Sequence, residues 1–383
     1  MAKKIDDILK KKASDPKSEK MAKIAAACAE LQKKFGKESV NFLGNRKAEP
    51  LPRFSTGSIA LDKIIGGGYP EGRMIEIFGP ASSGKTTLCY HALAECQKKY
   101  PDDWCGFVDS EQSFDPIYAE AVGVNIGELM TAQPDTGTDA FGMVQGMIEA
   151  GARMVVIDSV AAMMPKEEAE EEDYAHNSIG AQARMMSKGL RKLTAIAGKH
   201  KCTLIFTNQI RNKIGVMYGS PETVTGGKAL EYYASVRLRV SQCGKVEETV
   251  DGEKVVKAIE TRVTSSKNKT YAPFKTCEIV VEFGKGIDND AGVLDLAFQY
   301  GIIKKGGGGI YTVNGEKIKG LPALKEYLEQ NQDLYEDIKR QTREAMENDK
   351  QEPVSEESID AESMTDDEIA DAASKDDTEV GEV

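Results

Sequence analysis

The chain has 383 residues, 40% of them apolar, seven cysteines and a formal net charge of −12. That length accommodates two domains, one with a large core, and no run of 18 apolar residues occurs, which excludes a membrane-spanning helix. The cysteines are odd in number, scattered and without a C-x-x-C pair, and the N-terminus (Met1-Ala2-Lys3-Lys4-Ile5) lacks the apolar run of a signal peptide; these features argue against a disulfide framework or zinc site and predict a cytoplasmic protein with reduced thiols.

Residues 1–48 form a lysine-rich front in which Ile24, Cys28, Leu31 and Phe35 draw one apolar stripe on a helix. A single amphipathic helix has no core of its own, so it must dock on its own body or on another subunit. Phe35-Gly36 ends it, and Ser39 to Leu43 is a candidate strand. Residues 49–287 alternate apolar strands (74–78, 104–108, 154–158, 203–208, 235–240, 278–283) with helical stretches, the pattern of an α/β domain with a mainly parallel sheet.

The first of those strands runs into Gly79-Pro80-Ala81-Ser82-Ser83-Gly84-Lys85-Thr86, which fits G-x-x-x-x-G-K-[ST], and a helix from Thr87 to Tyr100 follows. Strand, glycine-rich loop, helix is the setting a phosphate-binding loop requires. The glycines let backbone N–H groups converge on phosphate oxygens, Lys85 brings a cation to the β- and γ-phosphates of ATP, and the Thr86 hydroxyl is placed for Mg²⁺.

Three further strands end in polar groups, where ligands of open α/β sheets gather. Met154 to Asp158 ends in a carboxylate suited to assist Mg²⁺. Phe107 to Glu111 brings a second carboxylate, a candidate general base for water, with a helix-capping or surface role as the alternative. Leu204 to Gln209 ends in an amide able to sense a γ-phosphate, or in an ordinary polar terminus. Two long polar segments follow, about 164–181 and 211–228, the second with glycines at 215, 219, 226 and 227. Arg184, Arg191, Arg211, Lys213 and Lys228 lie in or beside them. Long loops at a ligand edge commonly carry function, while a basic loop read on charge alone is a solvated one.

Residues 288–345 change character. They comprise a short helix around Leu294–Phe298, a glycine run at 306–309, a hairpin at Tyr311–Gly315 and a helix from about Leu321 to Met346, together a small α/β module. From 346 to 383 the composition is acidic with few aromatics and reads as a disordered tail. Residues 341–383 hold sixteen acidic and three basic residues, so the body is near neutral and can still carry basic patches. A tail of this charge, tethered to that body, can occupy cations such as Lys304, Lys305, Lys317 and Lys319.

Several strings in order, among them Ser55-Thr56-Gly57-Ser58, Met185-Met186-Ser187, Asn208-Gln209-Ile210-Arg211, Lys213-Ile214-Gly215-Val216-Met217, Thr225-Gly226-Gly227-Lys228-Ala229-Leu230, Lys267-Asn268-Lys269 and Ala272-Pro273-Phe274-Lys275, resemble the RecA family of bacterial DNA-strand-exchange recombinases over roughly residues 20–345. The resemblance implies that the loop through Thr87 binds ATP and Mg²⁺ with Asp158, and that Asp115 and Tyr118 contact adenine. It makes Glu111 the hydrolytic carboxylate and Gln209 the link between γ-phosphate and the second DNA loop. Lys267 and Lys269 would reach a neighbouring subunit's ATP. Ile179, Arg184, Arg191 and Ile214 match DNA-loop positions, and Arg211, Gly226 and Gly227 belong to the second loop. The N-terminal helix would then dock in trans to build a filament. Glu231, where the family commonly has lysine, the acidic stretch Glu167 to Asp173 and the glycines 306–309 depart from the pattern.

The resemblance implies a DNA-dependent ATPase that forms a helical filament on single-stranded DNA, pairs homologous duplex DNA and exchanges strands, with a self-cleaving repressor as a further partner. The alternatives are a related motor such as a hexameric helicase, and a nucleotide-gated DNA-binding scaffold.

Overall fold

A computed structural model describes residues 16–36, 40, 51–170, 180–212, 222–250 and 253–349. The chain divides into two units, Met1–Leu51 and Pro52–Val383. In the first, helix α1 (Pro16–Phe35) carries the predicted stripe. Ile24 and Cys28 are half-buried, while Leu31 and Phe35 are 42% and 61% exposed. Gln32 Nε2 donates to the Val40 carbonyl at 2.7 Å. The rest of the candidate strand Ser39–Leu43 lies outside the described residues.

The second unit opens with β1 (Arg53–Phe54), α2 (Ile59–Ile65) and β2 (Tyr69–Pro70), where β1 and β2 pair as a small ribbon. Then come β3 (Met74–Gly79), α3 (Lys85–Lys99), β4 (Cys105–Asp109), α4 (Pro116–Val122), β5 (Leu129–Ala132), α5 (Gly137–Glu149), β6 (Met154–Asp158), a short α6 (Lys166–Ala169), α7 (Ala181–His200), β7 (Thr203–Asn212), β8 (Glu222–Val224), α8 (Ala229–Tyr233), β9 (Val236–Val250), β10 (Glu253–Asn268), β11 (Thr276–Glu282) and β12 (Gly286–Asp288). The main sheet runs β12-β11-β10-β9-β3-β7-β6-β4-β5, with β8 added to β7. From β9 to β5 every pairing is parallel; β9 through β12 are antiparallel.

Side chains alternate between the faces of a strand, and this alternation assigns the helices. Ile75, Ile77, Val156 and Ile205 meet α3 in one core. Met74, Val155, Ile157, Leu204 and Phe206 meet α5 and α7 in the other. Glu76 interrupts this pattern: fully buried in β3, it accepts from Arg237 Nε at 2.5 Å and from Asn208 Nδ2 at 3.1 Å. A carboxylate is tolerated inside because it is paired.

The short strands β1, β2, β5, β8 and β12 and the long β10 went unread in the sequence. β5 is short, and β10 presents polar Thr261 and Ser265 as well as Ala258 and Val263 to the buried side, so its period-2 apolar signal is weak. The C-terminal module contains α9 (Asn289–Gln299), β13 (Lys304–Lys305), β14 (Ile310–Val313), β15 (Glu316–Lys319), α10 (Leu321–Gln330) and α11 (Gln332–Asp349) around its own core. Ile59 of α2 joins that core, so the module packs on the larger body within the second unit. The single helix expected over 321–346 is two helices. Asn331 leaves the helical conformation, and its side chain donates to the Tyr327 carbonyl at 2.7 Å, capping the end of α10. α11 then continues to Asp349, with Met346 buried, past the residue 345 expected to close the module. The rest of the acidic tail lies outside the described residues. No described helix is long and apolar enough to cross a membrane.

Candidate nucleotide site and its link to the second loop

Strand register brings the polar strand ends together. Gly79 sits beside Gln209, Ile157 beside Phe206 and Asp109 beside Asp158. In sheet order β3-β7-β6-β4, the phosphate loop, Thr207 with Gln209, Asp158, and Glu111 thus occupy one edge.

The loop from Gly79 to Gly84 is built as its glycines require. A Cβ on Gly79 would lie 2.0 Å from the Val240 carbonyl oxygen, closer than any side chain tolerates. Gly84 takes φ +94° as the N-cap of α3, and Ser82 is also left-handed at φ +56°. Pro80 and Ala81 form the outer turn; the Pro80 carbonyl accepts from Ser83 Oγ at 2.8 Å and from Lys85 Nζ at 2.7 Å. Burial lowers the pKa of Lys85, an effect opposed by the charges of Asp158 and Glu111. The 15-residue α3 presents its N-terminus at the loop, where unpaired N–H groups and the helix dipole attract anions.

Asp158 is buried, and both its oxygens are engaged. Oδ2 accepts from Thr86 Oγ1 at 2.8 Å and Oδ1 from Thr207 Oγ1 at 2.5 Å. Burial raises its pKa, while the two hydroxyl groups and Lys85 oppose the rise. A hydroxyl and a carboxylate beside the phosphate loop are the hard oxygen ligands, direct or through water, that suit Mg²⁺, so Thr86 and Asp158 fit that ion.

Glu111 lies within a turn held by Asp109, whose two oxygens accept from the N–H groups of Ser113 (3.1 Å) and Phe114 (3.0 Å). Glu111 Oε1 accepts from the Ser159 hydroxyl and from Gln209 Nε2 at 3.0 Å. The Gln209 N–H donates to Asn208 Oδ1 at 2.9 Å, and Asn208 Nδ2 reaches the Thr225 carbonyl at 3.0 Å. Gly226 and Gly227 come next, both left-handed, and a Cβ on Gly226 would press on Val160 at 2.8 Å. A hydrogen-bonded line therefore runs from the carboxylate at the phosphate loop to the second long loop.

A cavity of about 510 Å³ opens beside the loop, lined by Lys85, Thr86, Thr87, Asp115 and Tyr118. Asp115 caps α4, its Oδ1 accepting from the Tyr118 N–H at 3.0 Å, and the Tyr118 phenol bonds the Thr87 hydroxyl at 3.0 Å. Sequence reasoning missed the opposite wall, Ile259, Val281 and Phe283, and Ile117 beside Tyr118. Ile117 and Phe283 are 80% and 57% exposed, a pair of large apolar groups suited to the faces of a planar base. Only their folded neighbours mark them. Ser159 and Thr207 were also missed, although each adjoins a residue that was singled out.

Lys267 and Lys269 lie elsewhere on their own subunit and do not line this cavity. Lys267 Nζ donates to the carbonyls of Glu231 (2.5 Å) and Tyr232 (3.1 Å), and Lys269 Nζ to that of Tyr232 (3.3 Å). Burial, with Lys269 and Arg237 adding to it, pushes the Lys267 pKa down to about 8. Glu231 pairs with Arg237 at 3.0 Å, so its charge is engaged within its own chain. Arg184 and Arg191 are exposed on α7, two turns apart, and Arg211 is exposed where β7 pairs with β8. Ile179 and Ile214 lie outside the described residues, as do residues 171–173 of the acidic stretch.

A family model described as the RecA N-terminal domain matches residues 22–288, and one described as the RecA C-terminal domain matches residues 291–347. The proteins named Protein RecA from Marinobacter nauticus and Rickettsia bellii are 44% and 45% identical to this chain, each over 84% of it and 92% of their own length. A solved chain described as the crystal structure of the RadB recombinase aligns with 61% of this chain and 97% of its own, at 22% identity and a TM-score of 0.46. Two domain matches, the second falling on the C-terminal module, with sequence identity along nearly the whole of both relatives, lead to one conclusion: the chain belongs to the RecA family of recombinases.

Proposed function

We propose that the chain is a DNA-dependent ATPase that assembles with ATP and Mg²⁺ as a helical filament on single-stranded DNA, pairs it with homologous duplex DNA and exchanges the strands. The observation that carries this reading is the line from Thr86 and Asp158, through the adjoining Ser159 to Glu111 and Gln209, and on to Asn208 and Thr225 at the second loop. Such a line gives the nucleotide state a physical route to a DNA-facing segment.

In this reading the 79–87 segment binds the phosphates, and Thr86 and Asp158 hold the metal, which neutralises charge on the phosphate oxygens when bound. Glu111 orients the attacking water and takes its proton as the β–γ phosphoanhydride bond breaks and ADP and phosphate form. Gln209 bonds to Glu111, so a change at the phosphate shifts an amide one residue from Asn208. Lys267 and Lys269 serve the ATP of a neighbouring subunit, consistent with their distance from the cavity of their own. Arg184, Arg191 and Arg211 contact DNA phosphates, with Gly226, Gly227, Ile179 and Ile214 in the DNA loops. Backbone contacts of this kind predict slight sequence preference. Work in the cytoplasm, and a self-cleaving repressor as a further partner, are part of this proposal and rest on the resemblance to the family.

The test is ATP hydrolysis with and without single-stranded DNA, combined with electron microscopy of the same mixtures. Filaments and DNA-stimulated turnover are expected. Closed rings would support a hexameric motor instead, and DNA binding without turnover a scaffold.

A further inference from the structure

Tyr90 is buried, 1% exposed, and does not line the nucleotide cavity. Yet three contacts tie it to the residues that do. Its phenol oxygen accepts from the Asp115 N–H at 3.1 Å. Its ring meets Tyr118 nearly edge-on (centroids 5.8 Å apart, 65°) and Phe114 likewise (5.5 Å, 77°). It also meets Phe107 at 5.9 Å, on the strand that leads to Glu111.

Tyr90 and Thr87 are three residues apart on α3 and so share one face of that helix. Thr87 holds the Tyr118 phenol and Tyr90 holds the Asp115 backbone. α4 has only seven residues and is too short to fix its own position. The helix whose N-terminus faces the phosphate loop therefore also sets where the wall formed by Asp115 and Tyr118 stands.

We propose that Tyr90 is a positioning residue for the nucleoside half of the site: it fixes the distance between phosphate loop and base wall, and so tunes recognition of adenosine without touching it. This inference rests on the reading of the cavity as an ATP site. It predicts that loss of the phenol oxygen weakens binding of ligands that carry a base and spares ligands that are phosphate alone.

Tyr90→Phe keeps the ring contacts and removes the acceptor. The dissociation constant and KM for ATP should rise about three- to tenfold, the usual range for one lost hydrogen bond, with kcat within about twofold. Affinity for inorganic tripolyphosphate, measured by competition, should stay at the wild-type value. Amide hydrogen exchange at Asp115 should quicken in the variant, a readout that does not depend on turnover. Equal weakening of ATP and tripolyphosphate would overturn the proposal by showing general damage to α3, and an unchanged ATP constant would overturn it directly. Wild-type protein that bound no ATP would remove the nucleotide reading itself, and this inference with it; wild-type binding with an unaltered variant would remove the inference alone.

Discussion

Glu111→Gln separates chemistry from assembly. Glu111 is exposed, and one oxygen accepts from both the Ser159 hydroxyl and Gln209 Nε2. A glutamine of the same shape can turn its remaining oxygen toward those two donors, so local geometry and the line to the second loop should persist. What disappears is the capacity to take a proton from water. Removing a positioned base typically costs ~10²–10⁴ in rate, or about 3–5 kcal/mol in barrier. Because the side chain is exposed, folding stability should move by no more than about 0.5 kcal/mol. Steady-state phosphate release at saturating single-stranded DNA is the assay, with a fluorescent ATP analogue for binding and microscopy for filaments. The expected result is ATP-dependent filaments that persist while turnover falls at least a hundredfold, the lower end for a lost base. Near-normal DNA-dependent turnover would refute the base assignment. Loss of nucleotide binding would refute the argument that the carboxylate acts on water rather than on the architecture of the site.

His91 gives a pH signature of folding. Its Nε2 accepts from the Ile287 N–H at 2.8 Å, so the half-buried ring must be neutral there, and loss of solvent, aided by Lys98, pushes its pKa down to about 4. The unfolded chain binds a proton near pH 6.5, the folded one only near 4, so this contribution is complete above pH 6.5 and is lost as pH falls between those values. The loss amounts to about 3 kcal/mol, read from urea unfolding across a pH series; His91→Gln, which keeps an acceptor for Ile287, should flatten that part of the profile. Lys267→Ala should lower ATPase activity only in the assembled state. Mixed with Lys85→Ala protein it should regain some activity if Lys267 acts across the interface; no recovery in verified mixed filaments would count against action in trans.

The phosphate loop was legible from the chain because its requirements are local. The Gly79–Thr86 spacing, an apolar strand before it and a helix after it are all set by neighbours in sequence. The strand ending at Asp158 and the apolar start of β7 were legible for the same reason, as short apolar runs closed by polar residues, although β7 runs past Gln209 to Asn212 where β8 pairs with it. The two-helix end of the C-terminal module was not, because the break rests on one asparagine whose side chain caps the helix before it. The pairing of Asp158 with Thr207, of Glu111 with Ser159 and Gln209, and of Glu76 with Arg237 was out of reach of the sequence. The partners in these pairs stand 48 to 161 residues apart in the chain, and only sheet order and register make them neighbours. Tyr90 and Phe283 show the same division. In sequence each is one apolar aromatic among many, and its role comes from what the folded chain sets against it: the Asp115 amide in one case and the open side of a cavity in the other. Local propensity and spacing could specify a phosphate loop, while long-range packing decided which groups surround the nucleotide and which hydrogen bonds lead away from it.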